Sequence, residues 1–459
     1  MTISDRFDLL LLQSARLGNH RQVATALERG ARVDTTDAQG TTALMFAAQK
    51  GFTQIVDLLI AAGADVNIHR CQFGTTALMF AAASGNVAIV KQLLARGVNV
   101  NATNEDGSTA LMGAALAGAG EIVELLIVAG ADVLKVDADG DNALNIAIAH
   151  NHPDIVRQLL AAGADLNYRN SDGKTPLLLL AGSGDVTILN LLLAAGADPQ
   201  VVDDDGDSLL IIASEGGYAQ SIQPLIEAGS AIDLQNQDGW TPLIAATSAR
   251  EIGIVTALLA AGADPNLHAQ DRETALHLAA IEGDTELVRL LIGANAKTDT
   301  ITSLGDTPLV LATLHGHTAA VAEILAAHPD LAAHQQGVTA LGLAIVEGYT
   351  EIAQLLLAAG VSPNQTLNAG QTLLTISALK GNLELVRSLV TAGANLDLQD
   401  DTGATALMWA THRRRHEIVK LLLTNGADRT CKNQGGLTAL NLAEINGDRQ
   451  LIELFNLGC

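Results

Sequence analysis

The chain holds 459 residues with 26 basic against 50 acidic side chains, a net charge of −24. That balance disfavours nucleic acid, whose phosphates need Lys and Arg in excess; a basic protein partner, or solubility alone, fits it better. Cys71, Cys431 and Cys459 are odd in number and lack CxxC spacing, so no disulfide framework or zinc site is indicated and no cofactor is expected. No stretch approaches the ~18 apolar residues of a membrane span, and the four-Leu run between Asp8 and Gln13 is too short for a signal segment. The chain therefore reads as soluble, unprocessed and cytoplasmic.

In chain order, residues 1–36 form a first, looser unit, DLLLLQSARLGNHRQVATALERGA, and a marker then begins to recur. GTTALMFAAQKG at 40–51 returns as GTTALMFAAASG at 74–85, and the looser pattern G-x-[T/S/N]-x-L-x-x-A continues from Gly107 to Gly436. The spacing is 33 residues, with one gap of 34 and one of 32, and Arg272 replaces the marker Gly once. A period of this length signals a solenoid, here a single array of about fourteen units over residues 1–459. Residues 1–36 and 436–459 would be its capping units and 37–435 its interior.

Within each unit, the Thr, Ser or Asn two after the marker (Thr42, Thr76, Thr109, Asn142 and onward to Thr438) can accept from an orphan helix N–H, as an N-cap does. Pro176, Pro242 and Pro308 take the first helical position, where a missing N–H costs nothing. A turn near Gly51 and its counterparts leads to a second apolar helix such as 55–65, which stops on Gly in eleven of fourteen units. A short polar finger closes the unit. Leu44, Leu78, Leu111, Ile55, Val56, Leu58 and Leu59 are expected in the core, because no unit alone has enough apolar area to fold. Arg272, Asn295, His328-Pro329-Asp330 and the shortened unit before Gly337 mark 272–337 as the expected irregular region.

DGKTPLLLLAGSGDVTILNLLLAAGADPQ (172–200) and DRETALHLAAIEGDTELVRLLIGANA (271–296) resemble ankyrin repeats. The resemblance covers essentially the whole chain. It implies an all-α solenoid of antiparallel helix pairs with projecting hairpin fingers, stacked in a curved array. It also implies a protein partner along the concave face of fingers and first helices, and a structural role for His277 in TALH.

Catalysis finds little support: HExxH, GxxxxGK[ST] and GxSxG are absent, and Gly182-Ser183-Gly184 falls at a helix end as a turn. His412 and His416 have i, i+4 spacing, but the arginines between them would repel a metal ion. The informative positions are those the repeat does not need. Finger acids recur at Glu105 and Asp106, Asp139 and Asp141, Asp172, then Asp204, Asp205 and Asp207, Asp238, and Asp271 with Glu273. Residues 101–210 hold seventeen acidic and four basic residues. Asp is also a good turn residue, so turn chemistry and solubility compete with recognition as its explanation. Phe73 and Trp240 are expected as exposed aromatic anchors on fingers. His412 and Arg413, in a segment of opposite sign, are a second candidate contact. A non-enzymatic scaffold or adaptor is the leading reading. An inhibitor masking a basic surface is the first alternative, and an enzyme with an unrecognised site is another.

Overall fold

The computed structural model describes residues 3–329, 331 and 340–456. Just over half of them are helical and the rest are turns and finger loops with only isolated β-bridges, and the chain divides into two compact units, Met1–Ala231 and Ile232–Cys459. The first begins with helices Ile3–Leu17 and His20–Glu28 and proceeds through pairs such as Ala43–Lys50 with Thr53–Ala61, to Leu209–Glu215 with Ala219–Glu227. The second runs from Pro242–Ser248 and Ile252–Ala260 to Ala439–Ile445 and Arg449–Asn456. Within each unit, first helices pack on first helices and second helices on second helices. None of the described helices is long and apolar enough to cross a membrane.

The caps form as the residue types dictate. Thr42 Oγ1 accepts from Met45 N–H at 3.2 Å, Asn142 Oδ1 from Asn145 N–H at 3.0 Å, Ser208 Oγ from Ile211 N–H at 3.2 Å and Thr241 Oγ1 from Ile244 N–H at 3.2 Å. Each satisfies one orphan donor at a helix start. The helices are only seven to nine residues long after the first, too short to be stable alone, so burial between repeats must hold them. Leu44, Leu78, Leu111, Ile55, Val56 and Leu59 are all at most 2% exposed. Leu58 is half-buried instead, because it sits on the flank of its helix.

Two places bear on the regularity of the repeats. Between Arg272 and Pro329 the helices keep their usual lengths. Arg272, Asn295 and His328 simply adopt the left-handed backbone that Gly holds elsewhere, with φ of 66°, 67° and 55°. Asp330 and Gly337 lie outside the described residues, as does Cys459. A change of helix type occurs earlier: where a first helix should follow Thr175, there is a single 3-10 turn, Leu178–Leu180.

Candidate partner-binding surface

Most described fingers are built by an Asp or Asn three before the marker; Cys71, Ala269 and Leu367 hold that place without such a side chain. Asp137 Oδ1 accepts from the N–H groups of Asp139 and Asp141 at 3.1 and 2.8 Å, and Asp203 Oδ1 from those of Asp205 and Asp207 at the same distances. Asn104, Asn170 and Asn236 occupy the same place and likewise accept from the N–H of the residue after the marker. Asp or Asn in this slot is turn chemistry. Successive fingers are then tied through their backbones: Glu105 N–H donates to Phe73 O at 3.0 Å, Ala138 N–H to Asp106 O at 2.7 Å and Ser171 N–H to Asp139 O at 3.2 Å.

This frame sorts the predicted acids by register. Residues one or two before the marker point outward: in the first unit Glu105, Asp106, Asp139, Asp172, Asp204 and Asp205 are exposed, and in the second Asp238 and Asp271. One after the marker, Asp141, Asp207, Trp240 and Glu273 are half-covered, which corrects the expectation for three acids and a tryptophan. Asp141 Oδ1 accepts from the side-chain amides of Asn145 and Asn170, both at 3.0 Å, so it belongs to an internal network. Asp207 and Glu273 are half-buried. The Glu273 carboxyl is pushed above its ordinary range, chiefly by burial and then by the charge of Asp271. Trp240, expected as an exposed anchor, is also half-buried, and its N–H closes the turn on Asn236 Oδ1 at 2.8 Å.

Phe73 meets the expectation of exposure, at 57%. It has φ of 70°, at the point where the one 34-residue spacing inserts an extra residue. The Arg70 guanidinium lies 5.9 Å from its ring centroid, a cation–π distance. Of the predicted finger residues, the first unit therefore presents the Phe73 ring and six outward carboxylates, Glu105, Asp106, Asp139, Asp172, Asp204 and Asp205.

In the second unit His412 and Arg413 are exposed. The other basic groups of that turn have internal work: Arg414 donates to Asn446 O at 2.8 Å and Arg415 to Lys380 O at 3.3 Å. His416 Nε2 faces Asp448 Oδ2 at 3.0 Å. Burial acts to raise the Asp448 pKa, but hydrogen bonds from His416 and the Leu451 N–H, with the charges of His416 and Arg414, bring it below its ordinary value. His416 is thus committed to a carboxylate. Among the described residues, no three His, Cys, Asp or Glu side chains gather as a metal site.

Trp409 is the residue that sequence reasoning overlooked. It is half-buried, donates from Nε1 to Asp400 Oδ2 at 2.7 Å, and meets the His412 ring edge-on with centroids 6.0 Å apart. Asp400 is buried; that burial works to raise its pKa, but bonds from Thr402, Trp409 and the Ala404 N–H hold it below the usual range. The signal was available: ALMW at 406–409 copies ALMF at 43–46 and 77–80, which places Trp409 in register with Phe46 and Phe80.

Helix pairs, N-caps and fingers recurring in register suggest one family, and a sequence profile described as "Ankyrin repeats (3 copies)" matches in overlapping segments from residues 11–104 to 374–458. The chain belongs to the ankyrin-repeat family. Ankyrin repeats generally mediate protein–protein interaction and are typically non-enzymatic. A similar curated protein, "Inactive serine/threonine-protein kinase TEX14" of Bos taurus, is 40% identical over 68 residues. That stretch is 15% of this chain and 4% of the relative, so the chain covers a small fraction of that protein's length.

Proposed function

We propose that this ankyrin-repeat chain is a non-enzymatic cytoplasmic adaptor whose first unit captures a basic protein partner on its acid-tipped fingers. One observation carries the reading: Glu105, Asp106, Asp139 and Asp172 stand outward on adjacent fingers whose backbones are hydrogen-bonded together. A turn needs only the Asp or Asn three before the marker, so these carboxylates exceed what the fold requires. Phe73 supplies an exposed apolar contact on the preceding finger, of the aromatic kind that anchors interfaces. Asp204 and Asp205 extend the row of acids, and Asp238 and Asp271 carry the same exposed chemistry in the second unit.

The test is affinity capture from a cell extract with the full chain and with a variant in which Glu105, Asp106, Asp139, Asp172, Asp204 and Asp205 are replaced by Gln or Asn. Basic proteins released by moderate salt from the natural chain, and absent from the variant, are the expected result. An identical set of captured proteins on both would remove the fingers from the binding surface and direct attention to His412 and Arg413.

A further inference from the structure

We propose that Leu177–Gly184, where a first helix is replaced by a 3-10 turn, is a built-in opening point of the first unit, kept under-wound by Leu180. The residue five after the N-cap is Ala in eleven of the thirteen marked repeats, Ser377 in one and Leu180 in the remaining one. These alanines are buried in first helices that pack on one another: Ala47, Ala81, Ala114 and Ala147 are 0% exposed and Ala213 2%. A Leu side chain has no space in such a contact, and overpacking displaces backbone before it ejects an apolar group. Leu180 stays buried at 4% exposure, and the helix gives way. Gly182, two residues on, weakens the helical alternative further.

Three neighbouring features fit a join that is only partly closed. At most fingers, a Cβ built on the marker glycine would lie close to the next finger; at Gly140 it falls 2.7 Å from Ser171 N and at Gly107 3.0 Å from Val136 O. At Gly173 it meets only a side-chain oxygen, Asp204 Oδ1 at 3.5 Å, so here a carboxylate rather than backbone approaches the preceding finger. A small void is lined by Leu180, Gly184, Leu189, Leu209, Ala213 and Tyr218. Tyr218, from the following repeat, closes over the end of the segment and donates from Oη to Gly182 O at 3.2 Å. The segment is thus pinned from one side by a phenol and held from within mainly by i, i+3 bonds, Leu180 N–H to Leu177 O at 3.2 Å, Ala181 N–H to Leu178 O at 3.1 Å and Ser183 N–H to Leu180 O at 2.9 Å, a weaker set than a full α-helical ladder.

Native-state hydrogen exchange on the full chain tests this. Amides of 177–184 should exchange well before those of the first helix Ala143–Ala149 in the preceding repeat. Leu180→Ala should rewind the segment: exchange there slows by about tenfold, and the unfolding midpoint holds or rises. Ala147→Leu should do the reverse, creating a fast-exchanging segment at 143–149. Natural protection at 177–184 equal to that at 143–149 would overturn the proposal. So would a Leu180→Ala chain that exchanges faster, melts earlier or fails to fold, which is how an ordinary truncated core residue behaves. Tyr218→Phe gives a second reading: loss of the Gly182 bond should speed exchange at 177–184 and leave 143–149 unchanged, and no change in either segment would count against the clamp.

Discussion

His277 is fully buried, its Nδ1 accepting from Thr274 N–H at 3.1 Å and its Nε2 facing Thr300 O at 3.1 Å. A carbonyl can only accept, so Nε2 carries the proton and the ring is neutral. Burial lowers its pKa from 6.5 to about 4, against the opposing pull of the Thr300 and Asp306 backbone. The folded value lies below the unfolded one, so the stabilisation is complete above pH 6.5. It is lost as pH falls toward 4, because the unfolded chain takes up the proton first. A shift of that size corresponds to about 3 kcal/mol at most. In three other repeats Met45, Met79 and Met112 do the same capping work, with Sδ 3.3 to 3.5 Å from the cap N–H. His277→Met should therefore cost about 1 kcal/mol at pH 7, for the Thr300 bond, and flatten the fall in urea midpoint between pH 7 and pH 4. An unchanged slope would place the acid sensitivity elsewhere. Trp240 calls for a different expectation from that of a surface anchor. Because its ring is half-buried, Trp240→Ala should lower the melting temperature as well as weaken binding, whereas Phe73→Ala should weaken binding alone.

At the scale of the element, two kinds of glycine do different work although both have positive φ. Gly63 ends a second helix at φ 86°, and a Cβ there would project into open space. Gly40 lies in a finger at φ 79°, and its Cβ would fall 2.4 Å from Cys71 N. Gly63→Ala should cost only the left-handed backbone, about 1 kcal/mol, as Asn295 already tolerates at the equivalent place. Gly40→Ala must also push neighbouring fingers apart and should cost more than about 3 kcal/mol. Equal effects in thermal denaturation would refute the distinction. The contrast also shows why the elements could be read from the chain while their irregularities could not. Caps, stops and apolar stripes are local chemistry, so Thr42 or Gly63 declares its role wherever it stands. Leu180 departs visibly from the repeat pattern, yet its effect depends on the space left between its turn and the neighbouring first helices, which only packing reveals. The finger acids divide in the same way. Asp139 and Asp141 flank one glycine and look equivalent in the sequence, but the trace of the turn sends the first to water and the second to Asn145 and Asn170.

For the molecule as a whole, the charge matters through its placement. Of the net −24, residues 101–210 contribute seventeen acidic and four basic side chains, all within the first unit. The outward carboxylates there are solvated, so each alone holds a partner weakly. Screening over ~8 Å at physiological salt leaves only neighbouring fingers acting in concert. Such a field raises the rate of encounter with a basic partner more than it prolongs the complex. Replacing Glu105, Asp106, Asp139, Asp172, Asp204 and Asp205 by Gln or Asn should therefore leave the melting temperature within about 2 °C, since surface changes of this kind seldom alter stability much. Stopped-flow association with a lysine-rich probe protein should slow by roughly tenfold at low ionic strength, with the two chains converging near ~0.5 M salt and dissociation hardly altered. Removing the acceptors that structure the turns and the internal network, by Asp137→Ala, Asp203→Ala and Asp141→Ala, should do the opposite, lowering stability with less effect on the rate. If the six-site variant associated as fast as the natural chain at low salt, the fingertip acids would serve solubility, and the exposed pair His412 and Arg413 beside Trp409 would become the face to test against an acidic probe.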